Sequence, residues 1–504
     1  MQLPSLALVL AGAVLTATGQ TKIDSELASV APSESTRVMV VYRSAPSAEH
    51  ARRATDRGAR MRHVLPEARI AAMEVEGREL QELAGDPDVE AIVPDRVVTS
   101  TAAAYSIPVQ TAGAPTAWNS GYTGSGVGIA VIDSGIVDHQ DFSGRIVYRE
   151  SFVNYSTNRN WVQTDVYGHG THVAGAILGS GAFSTTQASK VDLRGIAPGA
   201  RLIAFRVLDD SGTGHDSDVI AAIDRAVALK ASYNIRVMNL SLGRPVYGSY
   251  TTDPLCQAVE RAWKAGIVVV VSAGNLGRDN SWGNLGYSTI TAPGNDPYVI
   301  TVGAMRDMGT ATRSDDRVAS YSSKGPTLID HIVKPDLVAP GNVTVSTAST
   351  SAYLTTHYPG NWVPYSYYLV NGPSAASATY FKLSGTSMAA PIVSGAAALL
   401  IQKDPKATPD DIKARLMKTA SKSFPTTSNA TDPATGTVYT SQYDIFTVGA
   451  GYLDIAAALQ CTDKAALSTR SPAVARDAAG NVSMVDSTSV VWGTTIVWGT
   501  TIVW

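Results

Sequence analysis

Residues 253–275 read DPLCQAVERAWKAGIVVVVSAGN, and they hold one helix followed by one strand. The helix has matched start and stop signals. Asp253 stands at the N-cap, Pro254 falls in the first turn where its missing N–H costs nothing, and Gly266 follows the end. The strand, residues 267–271, is an unbroken run of β-branched apolar side chains. A strand with one wet face alternates polar and apolar, so a run without alternation expects burial on both faces. The same texture recurs at 127–132, 202–207 and 237–240, and a helical stretch over 218–231 carries an apolar stripe of Val219, Ile223, Ala226 and Val227. Strand and helix alternating over residues 106–460 imply an α/β fold: a doubly wound, mostly parallel central sheet with helices on both faces.

The rest of the chain differs from this core. Residues 37–99 contain 10 arginines and 11 acidic residues, about twice the charge density of the whole chain, in which 16% of residues are charged. Strands expected at 38–42, 70–75 and 89–93, with helices over 48–62 and 78–83, make a separate small α+β unit of split βαβ type. Residues 5–15 form an apolar run too short to span a bilayer, followed by Ala17 and Gly19. Residues 1–19 therefore read as a secretory signal, which implies export and no transmembrane segment. Residues 461–504 form a tail in which Trp492-Gly493-Thr494-Thr495-Ile496-Val497 repeats and breaks off at Trp504 in a third copy.

Charge and cysteine usage exclude several classes. With 40 basic and 43 acidic side chains the net charge is −3, so nucleic acid is not an expected partner. Two cysteines exclude a disulfide-dense scaffold and a four-cysteine zinc site. The sequence leaves open whether Cys256 and Cys461 pair.

Chemistry has to come from ordinary side chains, and three short motifs supply it. Val131-Ile132-Asp133-Ser134-Gly135 puts an acid at the end of a buried strand. Gly168-His169-Gly170-Thr171-His172 puts a histidine at the start of a small-residue helix, and Gly385-Thr386-Ser387-Met388-Ala389 puts a serine at the start of another. A doubly wound sheet gathers such element ends in one crevice. A serine hydroxyl is a poor nucleophile until a neighbouring imidazole takes its proton, and an acid that fixes the imidazole completes the set. Spacing alone does not choose between His169 and His172. The order Asp, His, Ser and the lack of a Gly-x-Ser-x-Gly context exclude an α/β-hydrolase esterase.

These motifs resemble the subtilisin-like serine peptidases, the subtilase family, over about residues 37–460. The resemblance implies that Ser387 is the nucleophile, His169 the base and Asp133 its partner, and that Asn275 of Ser272-Ala273-Gly274-Asn275 donates to the oxyanion. It also implies substrate pairing along Ser241, Leu242 and Gly243 and along an opposing edge at Gly212. Ala273 and Gly274 would wall the first pocket, with the loop at Thr291 closing its floor. The 37–99 unit resembles an inhibitory propeptide, cut away between about Asp95 and Ser106. The chain's own propeptide and protein or peptide substrates are then the expected partners. Asp141 matches a position that ligates calcium in family members, so calcium is a possible metal, and no organic cofactor is implied. The competing reading is a non-catalytic surface or adhesion protein that uses the Trp-Gly repeats.

Overall fold

In a computed structural model the described residues fall into two compact units, divided between Pro94 and Asp95. It describes residues 22–99, 108–153, 164–186, 188–432, 435–465, 468–477 and 482–485. The expected signal, residues 100–106 of the expected cut and the Trp-Gly repeats lie outside these.

The first unit runs β1 (Ser35–Tyr42), α1 (Ala48–Asp56), β2 (Arg60–Leu65), β3 (Ile70–Glu76), α2 (Leu80–Ala84) and β4 (Val89–Pro94). Its strands form an antiparallel sheet in the order β2-β3-β1-β4. Val38, Val40, Met73 and Ile92 lie in its buried core. One sequence expectation needs correction here. The helix expected over 48–62 stops at Asp56, because Gly58 takes φ +97° and turns the chain into β2.

The second unit begins with β5 (Val97–Thr99), α3 (Ala114–Asn119), β6 (Gly128–Asp133), β7 (Ile146–Ser151), α4 (His169–Leu178), β8 (Arg201–Arg206) and β9 (Thr213–His215). It continues with α5 (Asp216–Tyr233), β10 (Ile235–Leu240), α6 (Pro254–Lys264), β11 (Val268–Ser272), β12 (Ile300–Arg306), β13 (Arg317–Val318) and β14 (Leu337–Pro340). The strand order is β13-β12-β11-β10-β6-β8-β7, with β14 also on β12, and every pairing is parallel except β12 with β13. The chain winds to one side of β6 for β7 and β8, then to the other for β10 to β12. A crevice at the carboxyl end of β6 is the expected consequence.

Burial explains why these segments take these forms. Val268 to Val271 are all buried, each contributing about 1.5–3 kcal/mol of apolar burial. Asp253 caps α6 by accepting the Leu255 and Cys256 N–H groups at 2.9 and 3.3 Å.

An aromatic stretch follows, with β15 (Thr344–Thr347), α7 (Tyr353–His357), β16 (Trp362–Pro364), α8 (Tyr365–Tyr368) and β17 (Ala376–Leu383). Its strands form a small antiparallel sheet in which Tyr368 and Tyr380 are buried edge to face, while Tyr353 and Tyr358 stay exposed. Next comes α9 (Thr386–Lys403), buried at every residue from 386 to 401, so it is a core helix on all sides. The hairpin of β18 (Thr427–Thr431) and β19 (Val438–Gln442) lies beyond it. Both cysteines are free thiols, and Cys256 Sγ donates to Asn295 Oδ1 at 3.2 Å.

Candidate active site

Asp133 ends β6 and is buried, as is His169, which opens α4. Asp133 Oδ1 lies 2.7 Å from His169 Nδ1 and also accepts the Ser134 N–H at 2.7 Å. Gly170 permits this approach. A Cβ there would sit 2.2 Å from the Gly135 carbonyl oxygen and 3.1 Å from the Asp133 Cβ. The other ring nitrogen, His169 Nε2, is buried and has no hydrogen-bond partner among the described residues.

The second histidine of α4 has a different environment. His172 Nε2 donates to the carbonyl oxygens of Thr344 and Phe381 at 3.1 and 3.0 Å, and burial, aided by His169, pushes its pKa down to about 3. A neutral imidazole bonded to two backbone carbonyls holds β15 and β17 in place.

The start of α4 is also held by Asp165, which the sequence reading passed over. It accepts the N–H groups of Gly168 and Thr171 at 2.7 and 2.8 Å and the Ser134 hydroxyl at 2.8 Å. A carboxylate suits the N-terminus of a helix, where N–H groups lack intrahelical partners. The spacing Asp165-x-x-Gly168 ahead of the helix was the available signal.

Ser387 is the second residue of α9 and is buried. Its hydroxyl donates to the Ser241 carbonyl oxygen at 3.1 Å. A buried polar chain fixes its backbone: Ser394 Oγ donates to Asn239 Oδ1 (2.8 Å), Asn239 Nδ2 to Ser241 Oγ (2.9 Å), and Ser241 Oγ to the Ser387 carbonyl oxygen (2.8 Å). Asn275 follows β11. Its Oδ1 accepts the N–H and hydroxyl of Thr386 at 2.9 and 3.1 Å, which turns its donor nitrogen to the opposite side of the amide. The Thr386 hydroxyl in turn accepts the Gly274 N–H at 3.1 Å.

The expected substrate edges have a buried charged tie. Arg244, directly after Gly243, donates Nε to both Asp216 oxygens at 3.0 and 2.9 Å, and its guanidinium reaches Asp253 at 2.7 Å. Asp216 directly follows β9. Burial works against the guanidinium charge, but the two carboxylates outweigh it and push the pKa up. The tie therefore fixes the start of α5 against the 241–243 segment. Leu242 and Ala273 are buried, and Thr291 lies against both Gly243 and Gly274, where added Cβ atoms would meet it at 2.6 and 2.8 Å. Gly212 packs on the Tyr167 ring, which leaves no room for a side chain there.

Asp141 does not fit a calcium ligand. Its Oδ2 accepts the Gly181 N–H at 3.0 Å, its Oδ1 accepts the Ala182 N–H at 2.9 Å, and the Tyr380 hydroxyl donates to it at 3.2 Å. Calcium needs six to eight oxygen lone pairs, whereas this carboxylate faces hydrogen donors. Burial pushes its pKa up. Among the described residues there is no group of three or more His, Cys, Asp and Glu placed to hold a metal.

A family model described as the Subtilase family matches residues 124–439, and the chain belongs to this family of subtilisin-like serine peptidases. Serine protease AprX of Bacillus subtilis (strain 168) is 41% identical over 300 residues, covering 58% of this chain and 60% of AprX. The chain thus spans less than two thirds of that relative. Subtilisin E of the same strain is 34% identical over 367 residues, covering 73% of this chain and 79% of subtilisin E. The crystal structure of fervidolysin from Fervidobacterium pennivorans, described as a keratinolytic enzyme related to subtilisin, is similar in fold. Its TM-score is 0.60 at 22% identity, over 85% of this chain and 61% of that one.

Proposed function

We propose that this chain is a secreted serine endopeptidase, made as an autoinhibited precursor, that hydrolyses peptide bonds of proteins through Asp133, His169, Ser387 and an acyl-enzyme. The observation that carries the reading is the buried Asp133–His169 bond, whose far nitrogen Nε2 has no hydrogen-bond partner among the described residues. The reaction requires the Ser387 hydroxyl to leave the Ser241 carbonyl and meet that nitrogen. His169 accepts the proton as Oγ attacks the scissile carbonyl, and Asp133 holds the Nδ1–H tautomer and stabilises the imidazolium. The oxyanion is met by Asn275 Nδ2 and the Ser387 N–H at the start of α9. One such donor is worth roughly 3–4 kcal/mol in the transition state. His169 then returns the proton to the leaving amine, and water repeats the sequence on the acyl-enzyme.

Autoinhibition is supported by β5, which pairs antiparallel with β9 in the register Val97 to His215, Val98 to Gly214 and Thr99 to Thr213. Asp95 anchors it by accepting the Ser217 N–H and hydroxyl at 2.8 and 2.5 Å. A segment of the chain itself thus adds to an edge that the family resemblance gives to substrate, as extended peptides do. Cleavage within residues 95–106 separates residues 37–94 from the enzyme. Export is supported by the apolar run at 5–15, and no helix among the described residues is long and apolar enough to cross a membrane.

The test compares the wild-type chain with Ser387→Ala after expression as full precursors. The wild type should shorten to a form starting between about residues 96 and 107 and digest an unfolded protein, while the variant should stay full length and inert. Maturation and digestion by the variant would contradict the reading.

A further inference from the structure

Beyond Asn275, a cleft of about 800 Å³ opens at the ends of β12 and β13, on the side of β11 away from β10 and the Ser241–Gly243 segment. Its walls include Arg278, Arg306, Arg317, Tyr321, Asn342 and Val343. These walls continue the segments that carry the site. Arg278 lies three positions after Asn275, and Gly277 N–H donates to the Tyr321 carbonyl at 2.8 Å. Val343 N–H donates to Ser384 Oγ at 2.8 Å, and Gly385 N–H to the Gly341 carbonyl at 2.9 Å, just ahead of Ser387.

The charges in this cleft are not balanced internally. Arg306 and Arg317 stand directly opposite each other in the β12–β13 ladder, and both are exposed. Like charges at opposed positions destabilise a ladder. Among the described residues no carboxylate lies within ion-pair distance of either. Arg278 donates Nε to Ser320 Oγ at 2.9 Å, lies 3.6 Å from Asp432 and sits over the Tyr439 ring at 5.0 Å. Among the described residues, Asp307 is the one acidic wall residue. It is buried, its Oδ1 accepts the Gly309 N–H at 3.1 Å, and burial pushes its pKa up to about 7. An anion between Arg306 and Arg317 relieves their repulsion.

We propose that this cleft is a subsite for acidic side chains of the substrate on the leaving-group side of the scissile bond, a proposal that rests on the peptidase reading above. The acyl part of the substrate runs along the 241–243 segment, and the departing part passes Asn275 and Ser387 into the arginine-lined space.

The experiment uses the matured enzyme and three internally quenched peptides, identical up to the scissile bond and carrying Glu, Ala or Lys at the second to fourth positions after it. A p-nitroanilide with the same acyl sequence has no residue after the bond. The Glu peptide should be cut about five- to tenfold faster than the Ala peptide in kcat/KM at low salt, and the Lys peptide more slowly still. Arg306→Glu/Arg317→Glu should reverse that order. Arg306→Ala/Arg317→Ala, which relieves the repulsion and so favours folding, should abolish the preference. Equal rates on the three peptides, or an acidic preference that survives both variants, would overturn the subsite while p-nitroanilide hydrolysis keeps the peptidase reading intact. A wild type that cuts neither the p-nitroanilide nor any peptide overturns both.

Discussion

Asp133 and Asp141 lie eight positions apart in sequence, and both are buried. One hydrogen-bonds an imidazole; the other accepts from two backbone amides and a phenol, with the His139 ring, which accepts the Asp141 N–H, 3.8 Å away. The imidazole carries a second nitrogen that can take up and release a proton, so the first carboxylate can support chemistry. Amides and a phenol have no such relay, so the second carboxylate holds a loop. The same residue type can serve chemistry or structure according to what faces it.

Four substitutions test this contrast, in order of expected effect. Asp133→Asn should lower kcat/KM by about 10⁴-fold while the protein remains folded, because an amide facing Nδ1 favours the wrong tautomer. Steady-state kinetics beside a circular-dichroism melt checks both halves, and a loss of folding would erase the contrast. Asn275→Gly should cost about 10²- to 10³-fold in kcat with little change in KM, the outcome expected of an amide that acts on the oxyanion.

The third test concerns the two histidines of α4. His172 has a folded pKa of about 3, below the usual value for an unfolded histidine. The stability it contributes is therefore fully present above about pH 6.5 and is lost as pH falls toward 3, at up to about 1.4 kcal/mol per pH unit. Denaturant titrations of the Ser387→Ala precursor should show this slope, and His172→Asn should flatten it. An unchanged slope in that variant would remove His172 from the acid transition. The smallest effect belongs to Asp141→Asn, which turns an amide nitrogen toward a backbone donor and should cost about 1–3 kcal/mol of stability. The loss should be the same with and without added calcium; a loss seen only with calcium would restore Asp141 as a ligand.

The parts of this molecule that sequence made legible are local. The α6 cap and stop lie within residues 253–266, and the buried strands identify themselves by their lack of alternation. The helix expected over 48–62 ends at Asp56, because Gly58 takes a positive φ that the residue type permits but does not impose. What stayed hidden depends on partners distant in sequence. Asp141 meets Gly181 and Ala182 about 40 positions away and Tyr380 at a separation of 239. The tie from Arg244 to Asp216 and the chain from Ser394 through Asn239 to Ser241 likewise join residues on separate elements. A motif shows which groups are present, but the fold decides which of them face each other. The Thr386 hydroxyl, which orients Asn275, stood inside a recognised motif, yet its role emerged only once β11 and α9 lay side by side.

The central claim is that Ser387 is activated by His169. Treating the processed protein with a fluorophosphonate probe and mapping the adduct by mass spectrometry tests it directly. A single adduct on Ser387 is expected, formed far more slowly in Asp133→Asn and not at all in Ser387→Ala. An adduct on another residue, or none on processed protein, would contradict it.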